Sequence, residues 1–265
     1  LRPTHIFEEK NNMKKILVPV FALCCTAALW GQAAHKLNSG KITFVETVKL
    51  NFKIEGDAPQ FDLPKERKSE KILTFNEEAT LFEEGNNNIN EEMESENGDG
   101  NGNVRIRIMG SGENKTYTDL KNKTVTDQRD FMNRIFLVEK KSSDQAWKVT
   151  GQQKVILGYN CFEATSQDTA GIKTVAWFTP DINISSGPAG LGNLPGMILE
   201  ADINSGSRVY TAKTIDPSSV KIQKPKDGKK VTEPEFKAIM AEKMKEMGVE
   251  EGGGGNQVRV IIRHQ

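Results

Sequence analysis

Two carboxylates, Glu200 and Asp202, stand two residues apart in the strand-like run from Met197 to Ile203. On a strand that spacing puts both on one face, and paired carboxylates on one face suit general acid–base hydrolysis. The same spacing also describes the wet face of an ordinary strand. Cys161 is the one thiol outside the N-terminal segment. A nucleophilic thiol needs a base beside it, and the histidines, His5, His35 and His264, all lie near the ends of the chain. One thiol makes neither an internal disulfide nor a paired-cysteine site, so Cys161 is expected to be a small buried residue. Asn97, Asp99, Asn101 and Asn103 alternate with glycines in the manner of a calcium loop, but no glutamate closes the loop at the EF-hand spacing. These residues assign no catalytic group and no metal site, and imply no cofactor.

The other concentration of unusual chemistry is backbone chemistry. Gly187-Pro188 and Asn193-Leu194-Pro195-Gly196-Met197 crowd prolines, which fix φ and withhold a donor, among glycines, which reach conformations closed to other residues. No lysine followed by serine or threonine completes a phosphate-binding loop. Two readings stand: a rigid crossover between strands, or, with Trp177, one wall of a ligand or peptide site. Trp177, Gly187, Pro188, Leu194, Pro195, Gly196 and Met197 are the residues such a wall would use.

The elements that must position them read as strands. From Ile42 to Ile54 the even positions are Ile42, Phe44, Glu46, Val48, Leu50, Phe52 and Ile54, a period-two pattern with one wet face. Shorter runs follow from Ile72–Phe82 to Arg208–Ile215, joined by turns such as Lys121-Asn122 and Asn204-Ser205-Gly206. Short strands with asparagine- and glycine-bearing turns predict an antiparallel meander, and no βαβ spacing supports a parallel nucleotide-binding sheet. Residues 83–103, rich in Glu, Asn and Gly, are expected to be a long disordered loop. Thr232-Glu233-Pro234-Glu235 predicts a capping box opening a helix to Met247, with Phe236, Ile239, Met240, Met244 and Met247 on its docking face. Gly252–Gly255 predicts a linker and Val258–Ile262 a terminal strand that adds to a sheet edge.

Met13-Lys14-Lys15 followed by the apolar run Ile16–Leu29 has the form of a secretory signal peptide, too short to span a bilayer permanently. Residues 13–33 are read as that leader, with cleavage after Gly31 or Ala33, and 1–12 as an upstream extension or misassigned start. Cys24 and Cys25 lie within the apolar run; Leu23 before Cys24 does not suit a lipoprotein site. Without its first 31 residues the chain goes from 36 basic and 36 acidic groups to 32 and 34, about −2. That balance argues against nucleic acid as a partner. The expected working form has no transmembrane segment and is periplasmic or associated with the outer membrane.

One cluster of motifs resembles a known family. Tyr159-Asn160-Cys161-Phe162-Glu163-Ala164 precedes Trp177-Phe178-Thr179-Pro180-Asp181-Ile182, then Gly187-Pro188, then Asn193-Leu194-Pro195-Gly196-Met197-Ile198. This order resembles the GLPGLI family of exported Bacteroidetes proteins over about Lys41 to Glu246. Asn193 replaces the first glycine of the naming motif, and asparagine is the residue other than glycine that best tolerates positive φ. Met197 replaces a leucine of similar volume. The resemblance makes Tyr159, Cys161 and Asn193 structural members of the motif and carries over no catalytic residue.

The expected fold is mainly β: a curved antiparallel sheet or open half-barrel over 34–248, with one C-terminal helix and a tail at 249–265. The expected role is a non-catalytic envelope module that binds another envelope protein, a peptide or a hydrophobic ligand. The alternatives are a carboxylate hydrolase using Glu200 and Asp202, and an assembly protein that donates its last strand to a partner.

Overall fold

The computed structural model of the chain describes residues 37–52, 65–85, 93–96, 103–106, 114–142, 144–246 and 257–258. The chain divides into two compact units, Leu1–Ala33 and Ala34–Gln265, and every described residue belongs to the second. The expected leader, its cysteines, the glycine linker and most of the terminal strand lie outside the described residues.

In chain order the strands are β1 (Gly40–Lys49), β2 (Asn51–Phe52), β3 (Glu66–Phe75), β4 (Ala79–Glu84), β5 (Met93–Glu96), β6 (Asn103–Ile106), β7 (Lys115–Asp119) and β8 (Thr124–Phe131). They continue as β9 (Arg134–Lys141), β10 (Lys148–Ile156), β11 (Tyr159–Gln167), β12 (Lys173–Thr179), β13 (Met197–Ile203), β14 (Arg208–Pro217), β15 (Lys229–Val231) and β16 (Gln257–Val258). Helix α1 (Glu233–Glu246) stands between the last two. Twelve of the strands form one open sheet in the order β10-β11-β12-β13-β14-β1-β3-β4-β7-β8-β9-β15. Its pairs are antiparallel except that of β15 with β9. The fold is the mainly β, antiparallel one expected. Among the described residues no helix is long and apolar enough to cross a membrane.

Strand β1 shows why the meander folds. Its even positions Ile42, Phe44, Glu46 and Val48 are all buried and its odd positions are not. Register carries that inner face across the sheet: Ala164 pairs with Ala176, Ala176 with Ala201, Ala201 with Tyr210, and Tyr210 with Glu46. Phe82 meets Phe44 and Tyr210 edge-on, at centroid distances of 6.3 and 5.7 Å. The β12–β13 connection adds Ile182, Ile184 and Leu194 to the same core. A second cluster joins Phe136, Val138 and Val231 to Phe236 of α1.

The helix begins as expected. The Thr232 amide donates to Glu235 Oε2 at 2.7 Å, and the Glu235 amide donates back to Thr232 Oγ1 at 3.4 Å. Three expectations are corrected. Ile72–Phe82 is two strands, because Asn76 Oδ1 accepts the amides of Glu78 and Ala79, each at 2.9 Å, and turns the chain. The expected loop 83–103 begins inside β4 and contains β5, which pairs with β6 and sets Glu94 opposite Arg105; the rest of that stretch lies outside the described residues. Gln257–Val258 pairs in parallel with Asn51–Phe52 of its own chain, which removes, for those two residues, the reason to expect a donated strand.

Candidate functional site

The β12–β13 connection crosses the inner face of the sheet and is pinned along its length. Buried Ser186 shares a hydrogen bond with Thr80 at 3.1 Å and bridges to both Gly192 and Met197. The Leu191 amide donates to Pro188 O at 3.0 Å, closing a 3-10 turn at Pro188–Gly190. The Trp147 indole donates to Gly192 O at 2.8 Å. Gly196 has φ 149, and a Cβ there would lie 2.0 Å from Thr179 O and 2.9 Å from Pro180 Cα. Only glycine fits. Gly187 is extended, yet its Cβ would meet Ile198 Cβ at 2.7 Å, so close packing sets the residue there. Asn193 adopts φ 63, in the region that asparagine tolerates best among residues with a side chain.

This geometry redistributes the expected wall residues. Gly187, Pro188 and Gly196 are buried, Leu194 is 3% exposed and Met197 0%. They form the core side of the connection, and only Pro195 of that set is exposed. Trp177 alternates with buried Ala176 and Phe178, so its indole points to the other face of the sheet. There Lys154 Nζ stands 4.2 Å from the ring centroid. Trp177 and the loop therefore do not form one wall. Cys161 is buried, and burial pushes its thiol up to about 11. Tyr159 is half-buried, opposite Ile156, and packs against the main core.

A different surface is concave. The loop residues 183–186 and 190–193 face the turns at Glu77 and at 118–123 and the end of β9 at Ser142, enclosing a cleft of about 390 Å³. That is the lower end of the ~300–1,000 Å³ of small-ligand clefts. Its rim is fixed from within. Asp119 accepts the Asn122 amide at 2.8 Å and its side-chain nitrogen at 2.9 Å, bonds that hold its carboxyl below the usual range. Glu77 accepts from Asn38 Nδ2 at 2.7 Å. The Ser142 amide donates to Lys123 O at 2.8 Å. Sequence reasoning missed this cleft because it joins three segments separated by about forty residues each, and no local motif marks them.

The carboxylates singled out for hydrolysis have structural contacts. Glu200 pairs with Lys154 at 2.7 Å, and Asp202 accepts the Gly206 amide in the β13–β14 turn. A charge cluster on the inner face is marked locally in the sequence only by Glu46, which stands among the apolar even positions of β1. Glu46, 4% exposed, lies 3.3 Å from Lys71 and 3.4 Å from Arg208. It accepts from Tyr210 Oη at 2.9 Å and Ser69 Oγ at 3.1 Å, while Lys71 also pairs with Glu84. Burial pushes the Glu46 carboxyl up, but Lys71, Arg208, Tyr210 and Ser69 outweigh it, and the net shift is down. Among the described residues no group of three or more His, Cys, Asp or Glu is placed to hold a metal ion.

No curated protein matches the chain. Two solved structures of PNGF-II, in space groups P21 and C2, superpose with TM-scores of 0.53 and 0.52 at 17% and 18% identity. Each covers 76% of this chain, which in turn spans only 33% and 32% of theirs; the likeness is one of fold. A weaker superposition, TM-score 0.37 at 8% identity over 74% of this chain and 91% of the other, is to an uncharacterized conserved protein from Thermus thermophilus. Residues 109–240, which include the β12–β13 loop and most of the cleft, match the family model described as N-glycanase peptide, N-terminal domain.

Proposed function

We propose that the chain is an exported, non-catalytic recognition module that holds a glycan-bearing polypeptide for N-glycan-cleaving chemistry residing elsewhere. The observation that carries this reading is the match of residues 109–240 to the N-terminal domain of an N-glycanase. The site chemistry is compatible with it. Glu200 and Asp202 are engaged in an ion pair and a turn, and Cys161 is buried in the core, which supports the non-catalytic reading over the hydrolase alternative. Export is supported by the basic head and apolar run at 13–29 and by the resemblance to the GLPGLI family. The envelope partner expected from that resemblance becomes, in this reading, a glycoprotein.

Isothermal titration of the purified chain with a glycoprotein, and with the same protein stripped of N-glycans, tests the reading. Binding that falls at least tenfold on stripping is expected. Equal affinity for both forms overturns the glycan half. Release of free glycan by the chain alone overturns the non-catalytic half.

A further inference from the structure

The cleft between the β12–β13 loop and the β7–β8 turn has features that narrow its ligand. Its two carboxylates, Asp119 and Glu77, already bond Asn122 and Asn38. Among the described residues, the side chains of Lys123, Ser142, Asn183 and Ser185 line the same cleft and have no hydrogen-bonding partner in the protein. They comprise one ammonium group, one amide and two hydroxyls. Together they can donate to and accept from a ligand that carries many hydroxyls. Half-buried Leu191 lines the cleft beside them and suits the apolar C–H face of a sugar ring.

The backbone points away from a peptide. The amides of Ile184, Ser186 and Leu191 donate to Ile182 O, Ile184 O and Pro188 O at 2.8, 2.9 and 3.0 Å. The wall thus spends these donors on itself, whereas strand addition needs a row of open ones. Charge points away from an acidic ligand: Glu77 and Asp119 set two negative charges against Lys123. Pre-formed walls reduce the ordering cost of binding, and these are tied by the Thr80–Ser186 and Trp147–Gly192 bonds.

We propose that this cleft binds a neutral oligosaccharide segment of a glycan-bearing polypeptide, holding its hydroxyl and acetamido groups with Lys123, Ser142, Asn183 and Ser185 against Leu191. The proposal rests on the glycan-directed reading above and adds the place and the ligand class.

Titrating the full chain with a neutral N-linked glycopeptide, the same peptide without sugar, and a sialylated form of the glycopeptide tests it. The neutral glycopeptide is expected to bind, the bare peptide not to bind, and the sialylated form to bind no better than the neutral one. The double variant Asn183→Ala/Ser185→Ala changes two exposed side chains, so its melting temperature should match the parent's. Its affinity should fall about tenfold, the scale of two lost neutral hydrogen bonds. Glu163→Gln, on the opposite face, should bind as the parent does. If the parent binds the neutral glycopeptide and the double variant binds it equally well, the cleft assignment is overturned while the module's role stands. If no sugar-bearing probe binds the parent, both fall. Binding of the bare peptide with equal affinity makes the cleft a peptide site and overturns the ligand class.

Discussion

Gly196 and Asn193 show how far single residues can be read. At Gly196 the sequence pattern asks for a special backbone, and the structure supplies φ 149 with Thr179 O where a Cβ would sit. Gly196→Ala should therefore cost about 3 kcal/mol or more, since strain and overpacking add. Asn193→Gly should stay within about 1 kcal/mol, because relief of the left-handed conformation offsets the added freedom of the unfolded chain. Thermal melts of both variants check this; a Gly196→Ala protein that melts with the parent would mean that the loop has another arrangement. Neighbouring residues were not legible in the same way. Leu194 reads as an exposed loop leucine, but it is buried because the whole connection folds onto the sheet, a long-range outcome with no local signature. Gly187 needs its small size only because Ile198 lies against it.

Among the elements, those with strong periodicity or a capping motif were legible. β1 shows its phase in four alternate positions, Ile42, Phe44, Glu46 and Val48, and α1 shows its start in Thr232 and Glu235. The Asn76 turn was hidden inside what reads as one strand, Ile72–Phe82, because a single side-chain oxygen makes it by accepting two amides. Glu46 stands in the apolar phase of β1, and the partners that make its burial tolerable come from β3 and β14. Helix α1 is held by its cap, by Phe236, and by Arg129, which meets Glu233 at 3.1 Å and lies 5.0 Å from the Phe236 ring. Thr232→Ala should cost about 1 kcal/mol, a fall of roughly 2–4 °C in melting temperature for a domain of this size. Hydrogen exchange should rise in the first turn of α1 and remain unchanged in β1. Equal protection in α1 would mean that tertiary contacts alone fix the helix.

At the scale of the whole molecule, the open sheet has two edges of different kinds. β10 is broken by a register shift between Val149 and Gln153 around Gly151 and carries Lys148 and Lys154, devices that discourage strand addition. β15 is three residues long. The chain spans only about a third of the PNGF-II chains whose fold it shares. The most consequential polar contact of the sheet is the Glu46 cluster on its inner face. The Lys224–Glu139 pair, 43% and 48% exposed, is worth little by comparison, because water and salt screen it. Removing one partner of a buried pair leaves charge uncompensated, and Glu46→Gln should cost about 3 kcal/mol at neutral pH, or roughly 6–12 °C. The pH dependence follows from the direction of the shift. The Glu46 carboxyl is depressed in the folded chain below its ordinary value of 4.5, so the unfolded chain binds that proton more readily. Its stabilisation is fully present above about 4.5 and is lost as the pH falls through the depressed value. Buried Asp127, held down from 3.8 against its desolvation by Lys140 and Arg129, acts with the same sign. Melts of the parent and Glu46→Gln at pH 7, 5, 4 and 3 should show the gap between them constant above pH 5 and closing below pH 4. Asp127 remains in both proteins, so the closing gap isolates Glu46. A gap that stays the same down to pH 3 would show that the Glu46 carboxylate contributes nothing by its charge, and that the variant's cost comes from packing alone.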